Sequence, residues 1–252
     1  MYSHLRLLTA AAALCFSVAT MGIAGMFDNL SPEDRAALRD EIRSYLLENP
    51  AVLFEAVDIY EEQQRSAQLN QDEDLIRANY QDIFNDGQSL VLGNPDGDVL
   101  LVEFTDYKCS FCKKALMAVA GLIERDPQVG VIIKELPVLG QESVVAARFA
   151  VAARRVNPDL YPILHQRIMS FSGPLNEASL GRIAQDVGYD LDAVKAEEAN
   201  PEVMQHLQET RLLAERLGIQ GTPGFVTPNR VLRGYLEDAQ IAAVVAELRA
   251  AP

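Results

Sequence analysis

Apolar side chains recur at helical spacing in the N-terminal third of the chain, at Leu38, Ile42, Leu46, Leu53, Val57 and Tyr60. Ser31 followed by Pro32 predicts a helix start, because serine is a favoured N-cap and proline a favoured first helical residue. No proline or glycine interrupts residues 51–86, so much of this stretch is expected to form one long helix. Too few of its central residues are apolar for that helix to be buried along its length. Residues 27–86 are therefore predicted to form a helical arm ahead of the main domain.

The pattern changes after Gly87 to short apolar runs that alternate with helices. Residues 99–105 are almost continuously apolar, which is typical of a strand covered on both faces of its sheet. Residues 129–136 have the same character, and a helical segment separates the two runs. Helices over about 140–217, two short strands and a last helix follow. This order predicts an α/β fold after the arm: a thioredoxin-like domain, residues 88–252, with an all-helical insertion at about 140–217.

Residues 1–24 have the pattern of a secretory signal peptide. Arg6 is followed by an apolar run, and the small residues Ala19 and Ala24 offer cleavage sites. The alternative is an uncleaved membrane anchor, because the run is nearly long enough to span a bilayer. We expect cleavage, so that the mature protein is exported and Cys15 is removed with the peptide.

The formal net charge of the chain is strongly negative. It has 22 Lys and Arg residues against 36 Asp and Glu residues, a net charge of −14. Nucleic acid and anionic lipid would be repelled by such a surface. Neither is therefore expected as a partner.

Cys109 and Cys112 are the two cysteines expected in the mature protein, and their spacing suits a zinc ligand pair, a structural bridge or a redox centre. Zinc needs four ligands, and His165 and His206 lie far away in helical segments, where we interpret them as structural. A structural bridge across so short a loop would stabilise little. The pair follows a buried strand and begins a helix, where free N–H groups and the helix dipole stabilise a thiolate. A redox pair is therefore predicted, with no metal and no cofactor.

Four features of the chain occur together: Glu103 six residues before Cys109, the Cys-x-x-Cys motif, the helical insertion, and Thr222-Pro223 before the last two strands. Over about residues 90–252, this combination resembles the DsbA/DsbC-like periplasmic thiol-disulfide oxidoreductases. Residues 45–53, Tyr-Leu-Leu-Glu-Asn-Pro-Ala-Val-Leu, resemble the arm of the ScsC-type (suppressor of copper sensitivity) subgroup.

The resemblance implies a role for each residue of the motif and its surroundings. Cys109 would be the exposed nucleophile that forms the mixed disulfide with substrate, and Cys112 the buried resolving thiol. Thr222-Pro223 would form a cis-proline turn whose backbone pairs with a bound peptide strand.

Glu103 resembles the buried carboxylate with which this family relays a proton to the resolving thiol. A charge within an apolar strand is costly, and desolvation would raise the pKa of Glu103 as that role requires. Lys134 in the neighbouring strand is one candidate partner of this carboxylate. The alternative is that Glu103 and Lys134 form an edge-facing pair.

The resemblance also implies a periplasmic protein that acts on unfolded or misoxidised exported proteins and is reset by a membrane redox partner. The ScsC-type resemblance implies a homo-oligomer assembled through the arm. The alternative is that the arm folds back onto its own domain through the same apolar stripe, Leu38, Ile42, Leu46, Leu53, Val57 and Tyr60.

The dipeptide between the cysteines is a departure from part of the family. Strongly oxidising members carry a histidine there, whereas this chain has Ser110-Phe111, so a less stabilised thiolate and a weaker oxidant are expected. Disulfide oxidase and disulfide isomerase both stay open, and a copper(I)-binding thiol protein is the alternative function.

Overall fold

The computed structural model describes residues 30–250. The predicted signal peptide, residues 1–24, lies outside the described residues. The chain divides into two compact units between Arg65 and Ser66. Within residues 30–250, no helix is both long enough and apolar enough to cross a membrane.

Three helices come first in the described chain. α1 spans Pro32–Glu48, α2 spans Ala51–Ala78 and α3 spans Tyr80–Phe84. The predicted helix start is confirmed, because Ser31 is the N-cap of α1 and its hydroxyl accepts the N–H of Asp34 at 3.1 Å. The long helix predicted after residue 50 is present and has 28 residues. Local capping thus accounts for where α1 begins.

The first unit exposes most of its apolar side chains. No residue of α1 is buried. The exposed large apolar residues of this unit are Leu38, Ile42, Tyr45, Leu47, Leu53, Phe54, Val57, Ile59 and Tyr60. Exposed apolar side chains in such number are unfavourable in water, and clusters of them are typical of interaction sites.

The end of α2 belongs to the second unit. Asp72 is buried, and its carboxylate accepts hydrogen bonds from Arg233 at 2.9 Å and from the N–H of Val231 at 3.2 Å. Ile76, one turn later, is buried in the same core as the central sheet residues. The predicted arm, residues 27–86, therefore includes a stretch that packs within the second unit.

The second unit is built on a sheet of five strands. The strands are β1 Leu90–Gly93, β2 Val99–Thr105, β3 Val129–Glu135, β4 Gly224–Val226 and β5 Val231–Arg233. Their order across the sheet is β1-β3-β2-β4-β5. β2 and β3 pair in parallel, and the other neighbouring strands pair antiparallel. The two strands that the sequence predicts as buried on both faces are therefore adjacent at the centre of the sheet.

Helices cover both faces of this sheet. α4, Ser110–Arg125, connects β2 to β3 and packs with α10, Asp238–Ala250, on the face that carries Leu101 and Ile133. α9, Pro201–Arg216, and the end of α2 cover the other face. Coverage of both faces explains why β2 and β3 are apolar almost throughout.

An all-helical insertion lies between β3 and β4. It consists of α5 Gln141–Val156, α6 Tyr161–Ser170, α7 Glu177–Val187, α8 Leu191–Glu198 and α9. The buried residues of α5 to α8 form a core that also includes Cys109 and Cys112. The predicted fold, a thioredoxin-like domain with an all-helical insertion after N-terminal helices, is confirmed.

A buried ion pair joins the sheet to the insertion. Glu135 at the end of β3 is 0% exposed and Arg154 in α5 is 4% exposed, with 3.3 Å between carboxylate and guanidinium. The hydroxyl of Tyr161 also donates to Glu135, and Arg154 donates to Nε2 of His206 at 3.1 Å. Because these groups satisfy one another, the core tolerates their charges.

Glu135→Gln is expected to lower the free energy of unfolding by about 3–5 kcal/mol, because Arg154 would stay charged and unpaired in the core. Urea unfolding of the mature protein measures this. The matched control is Glu215→Gln, which removes the partner of the exposed Arg211 in α9 and should cost less than about 1 kcal/mol. Equal losses for the two variants would contradict a structural role for the buried pair.

Candidate active site

The helix that carries the Cys-x-x-Cys motif is capped by its first cysteine. Cys109 is the N-cap of α4, and its sulfur accepts the N–H of Cys112 at 3.4 Å. The first turn of α4 contains no acidic residue. The Cys109 sulfur therefore lies at the positive end of the α4 dipole, and the first turn of the helix adds no acidic side chain there.

Cys109 is less exposed in the structure than the sequence predicts. Cys109 is 6% exposed and Cys112 is 0% exposed. The Cys109 thiol donates a hydrogen bond to the carbonyl oxygen of Thr222 at 3.2 Å, and the Thr222–Pro223 peptide bond is cis. The predicted exposure of Cys109 is therefore corrected, because the turn at Thr222 lies against its sulfur.

An exposed aromatic side chain stands beside the nearly buried sulfur. Phe111, between the two cysteines, is 52% exposed. Its ring centre lies 6.1 Å from that of Tyr235, and Nζ of Lys114 lies 5.1 Å from the Phe111 ring centre. Lys108, just before the motif, pairs with Glu142 at 2.9 Å. These residues form an aromatic and basic rim that apolar side chains of another polypeptide can contact.

Glu103 is buried on the side of the sheet that faces α4. It is 3% exposed, and strand alternation places it on the same face of β2 as Leu101 and Thr105. Burial raises the pKa of Glu103 from 4.5 to about 8, and the nearby Thr105 hydroxyl offsets part of that rise. The carboxyl is therefore mostly protonated at neutral pH and can exchange its proton.

Cys112 is held as a neutral thiol. Burial raises the pKa of Cys112 from 9.0 to about 12, and the charge of Glu103 contributes to the rise. The backbone of Asp106 and the hydroxyls of Thr105 and Thr222 act in the opposite direction and lower this pKa. Cys112 therefore needs a proton acceptor before it can react as a thiolate.

Lys134 is not the partner of Glu103. In the parallel pairing of β2 with β3, Glu103 lies opposite Ile133, and Lys134 lies opposite Phe104. Successive residues point to opposite faces, so Lys134 leaves the sheet on the face away from Glu103 and bonds to Asp86 at 2.6 Å. Both side chains are buried, so the edge-facing alternative is wrong as well. Within residues 30–250, Glu103 forms no salt bridge.

Asp106 organises the loop ahead of the motif, a role that the sequence pattern does not reveal. Its carboxylate accepts the N–H groups of Lys108 at 2.8 Å, Val138 at 2.8 Å and Leu139 at 3.0 Å. The loop after β2 is thereby tied to the loop after β3. The available signal is an aspartate directly after a buried strand, since aspartate readily binds backbone N–H groups in turns.

Tyr107 anchors the same loop to the helical insertion. Its hydroxyl lies 3.0 Å from Nδ1 of His165 in α6, and both side chains are buried. Burial lowers the pKa of His165 from 6.5 to about 4, so its ring is neutral at neutral pH. This contact agrees with a structural role for the histidine.

Two family models match the chain. Residues 100–243 match the DSBA-like thioredoxin domain, a region that covers more than half of the chain and includes Glu103, both cysteines and Thr222-Pro223. This chain belongs to the DsbA-like thioredoxin family. Residues 34–67 match the N-terminal domain of the copper resistance protein ScsC, which assigns this DsbA-like protein to the ScsC-type subgroup.

Solved structures of several bacterial proteins share the DsbA-like fold of this chain. A thioredoxin-like oxidoreductase from Silicibacter pomeroyi DSS-3 is 40% identical, with a TM-score of 0.65, over 68% of this chain and 98% of that chain. Proteus mirabilis ScsC in a transitional conformation is 29% identical, with a TM-score of 0.65, over 88% and 98% of the two chains. A periplasmic thioredoxin-like protein from Salmonella enterica serovar Typhimurium is 30% identical, with a TM-score of 0.61, over 68% and 96%.

A curated protein is similar to part of this DsbA-like chain. The Na(+)/H(+) antiporter NhaA 3 of Salinispora tropica is 24% identical over 162 residues, which are 64% of this chain. The match spans 25% of the length of that antiporter. Most of the antiporter therefore has no counterpart in the match.

In this DsbA-like domain, Glu103→Gln is expected to remove a pH dependence of stability. Burial raises the pKa of Glu103 from 4.5 to about 8, so the folded state binds this proton more tightly than the unfolded chain. Relative to the variant, the wild type should lose stability as the pH rises from about 4 to about 9, by about 4–5 kcal/mol in all. Denaturant unfolding of both reduced proteins across this pH range measures the difference, and equal pH profiles would contradict it.

Proposed function

We propose that this protein is an exported thiol-disulfide oxidoreductase that acts through Cys109 and Cys112. The observation that carries the proposal is the cysteine pair at the start of α4, with Cys109 at the helix N-cap and against the Thr222 carbonyl. The second thiol is fully buried beside a carboxyl group of raised pKa. The first sulfur thus lies at a helix N-terminus against the Thr222 turn, while burial keeps the second as a neutral thiol.

Exchange would pass through a mixed disulfide at Cys109. Either the Cys109 thiolate attacks a substrate disulfide and displaces a substrate thiolate, or a substrate thiolate attacks Cys109 in the Cys109–Cys112 disulfide and displaces Cys112. A second substrate thiolate can then release Cys109 as a thiolate. Alternatively, Cys112 attacks Cys109 and releases the substrate sulfur. The same pair therefore supports oxidation, reduction and isomerisation.

Glu103 would serve the steps in which Cys112 gains or loses a proton. Cys112 must be deprotonated to attack, and it becomes a thiolate when it is displaced. The pKa of Glu103, about 8, lies below that of Cys112, about 12, so the Glu103 carboxyl readily protonates a Cys112 thiolate, whereas the carboxylate accepts the Cys112 proton only against this difference. Burial of both groups supports this role, because water has little access to either.

Substrate polypeptides would bind across the turn at Thr222–Pro223. The Thr222 carbonyl already accepts a hydrogen bond from Cys109, so a mixed disulfide at this sulfur would bring the substrate backbone next to the turn. Extended peptides bind exposed backbone in this way, and side-chain contacts add to the affinity. Phe111, half-exposed beside the motif, suits the apolar side chains that unfolded proteins expose.

The proposed site of action is the periplasm. The expected signal peptide over residues 1–24 and the Salmonella relative, described as a periplasmic thioredoxin-like protein, both support it. Disulfides form and persist in that compartment. The substrates would be unfolded or misoxidised exported proteins, and a membrane redox partner would reset the cysteine pair.

We also propose that the protein is a homo-oligomer assembled through its N-terminal arm. The exposed apolar side chains of residues 30–65 and the match of residues 34–67 to the ScsC N-terminal domain support this. The domain boundaries proposed are a signal peptide over 1–24, the arm over 27–86 and the thioredoxin-like domain over 88–252. Several active sites in one assembly would suit an isomerase.

Copper(I) binding is the second candidate function, because the matched N-terminal domain is that of a copper resistance protein. Two thiolates from Cys109 and Cys112 are the soft ligands that copper(I) prefers. Within residues 30–250, no group of three or more His, Cys, Asp or Glu side chains is arranged to hold a metal. A copper site would therefore use the cysteine pair itself.

Refolding of a scrambled-disulfide test protein should be catalysed by the mature wild type and reduced to the uncatalysed rate in Cys109→Ser, because every exchange passes through that sulfur. Recovered enzyme activity of the test protein measures the rate. Cys112→Ser should accumulate the mixed disulfide, which mass spectrometry detects, because the resolving thiol is absent.

The outcomes of this assay separate the candidate functions. Recovery that needs Cys109 supports an isomerase. No recovery, together with oxidation of a reduced test protein, supports an oxidase. Failure of both assays, with stoichiometric copper(I) binding that Cys112→Ser abolishes, would replace the proposal with the copper alternative.

The double variant Leu53→Glu/Val57→Glu is expected to reduce the native mass of the full mature chain to that of a monomer, because charges in the apolar stripe oppose its burial. Light scattering after size-exclusion chromatography measures the mass. The matched control is Ile163→Glu in α6, an equally exposed apolar residue outside the arm, which should leave the mass unchanged. A wild-type mass in the double variant would show that the stripe is not the oligomer interface.

A further inference from the structure

The hydroxyl of Thr105 is a buried polar group that the mechanism above does not use. Thr105 is 1% exposed, and its Oγ1 atom has no hydrogen-bond partner of normal geometry among the described residues. Buried polar atoms without a partner are rare because each one costs free energy. A valine would fill the same volume without that cost in free energy. The hydroxyl at this position is therefore a candidate for a chemical role.

The position of Thr105 in β2 relates its hydroxyl to the site. Thr105 follows Glu103 by two residues in β2, so both side chains point to the face that α4 covers. Cys112 lies in the first turn of α4, the helix that covers this face, and the Thr105 hydroxyl lowers the pKa of both Glu103 and Cys112. The hydroxyl of Thr222, also without a partner, acts on Cys112 and not on Glu103.

Neighbouring ionisable groups are engaged elsewhere. Five of these contacts are ion pairs: Lys134–Asp86, Glu135–Arg154, Arg125–Asp238, Arg230–Glu247 and Arg249–Asp98. In addition, Asp106 accepts backbone N–H groups, the Tyr107 hydroxyl bonds to His165, and Lys113 donates to the carbonyl of Phe171. The segments of β4 that pair with β2, residues 224–226, contribute no ionisable side chain. Among residues 30–250, Glu103 is the ionisable side chain whose charge acts on the pKa of Cys112.

We propose that the Thr105 hydroxyl carries the proton between Glu103 and Cys112. The inference rests on the proposed function and specifies how its buried carboxyl acts. When a substrate thiolate attacks Cys109, the Cys109–Cys112 bond breaks and Cys112 takes the electron pair. Cys112 then takes the Thr105 hydroxyl proton, and Thr105 is reprotonated by Glu103, which becomes a carboxylate.

The reverse transfer accompanies the attack of Cys112 on a mixed disulfide. The Glu103 carboxylate takes the proton of Thr105 while Thr105 takes that of Cys112, and the substrate sulfur leaves as a thiolate. A hydroxyl suits this position because it donates and accepts at the same time and can rotate between its two neighbours. Charge is conserved in both directions: the negative charge that the substrate thiolate brings ends on Glu103, and in the reverse step it leaves with the substrate sulfur.

The test measures how fast Cys112 resolves a mixed disulfide in the full mature chain. Reduced protein is mixed with oxidised glutathione between pH 5 and pH 9, and acid-quenched samples are analysed by mass spectrometry, since the chain contains no Trp to serve as a fluorescent probe. The method separates the glutathione adduct of Cys109 from the Cys109–Cys112 disulfide. The variants are Thr105→Val, Thr105→Ser and Glu103→Gln, with Thr210→Val in α9 as a buried threonine outside the site.

Thr105→Val is expected to slow resolution about tenfold, the effect of losing one hydrogen bond to a charged group, and to flatten the rise of the rate with pH. Thr105→Ser should restore both the rate and the pH profile, and Thr210→Val should leave them unchanged. Adding Thr105→Val to Glu103→Gln should slow resolution no further, because both changes interrupt one transfer. Thr105→Ala provides a second variant without the hydroxyl if the valine variant does not fold.

The opposite results are equally specific. Wild-type rates and pH profiles in Thr105→Val or Thr105→Ala, with Glu103→Gln slow, would show that Glu103 and Cys112 exchange the proton without the hydroxyl and would overturn this inference alone. A slow Thr105→Ser variant would also overturn it, because the methyl group and not the hydroxyl would then matter. A wild type that forms neither a glutathione adduct nor the Cys109–Cys112 disulfide would overturn both this inference and the proposed function.

Discussion

The parallel pairing of β2 with β3 is the constraint on which the arrangement of the site depends. It places Glu103 opposite Ile133 and so commits the odd-numbered residues of β2 to the face covered by α4. A shift of β2 by one residue would turn Glu103 towards α9, onto the face where Lys134 lies. The apolar residues of both strands specify this register, because each face of the sheet has its own core to fill.

The isolation of Glu103 follows from where the other buried charges are neutralised. Lys134 is paired with Asp86 on the far face, and Glu135 is paired with Arg154 at the insertion. A carboxyl that is buried without a cation favours its protonated form, which is what a proton donor needs near neutral pH. Structural ion pairs elsewhere in the unit therefore keep the site free of compensating charge.

The two cysteines differ because the helix start and the sheet act on them differently. Cys109 caps α4, where N–H groups and the dipole stabilise negative charge, whereas Cys112 is one turn further in and faces a carboxyl and two hydroxyls. The loop between β2 and α4 is held on two sides, by Asp106 towards the loop after β3 and by Tyr107 towards α6. Both contacts limit how far Cys109 can move from Thr222.

The sequence by itself determined the strands at the centre of the sheet, the capped start of α1, the long α2 helix and the Cys-x-x-Cys helix start, because periodicity, capping and propensity are local. Only the tertiary structure decided the partner of Lys134, the low exposure of Cys109 and the burial of the Thr105 hydroxyl without a hydrogen-bond partner among residues 30–250. These depend on strand register and on contacts between residues far apart in the chain. The alternation of residues along a strand predicts which face of the sheet a side chain occupies. The partner of that side chain depends on which element packs on that face.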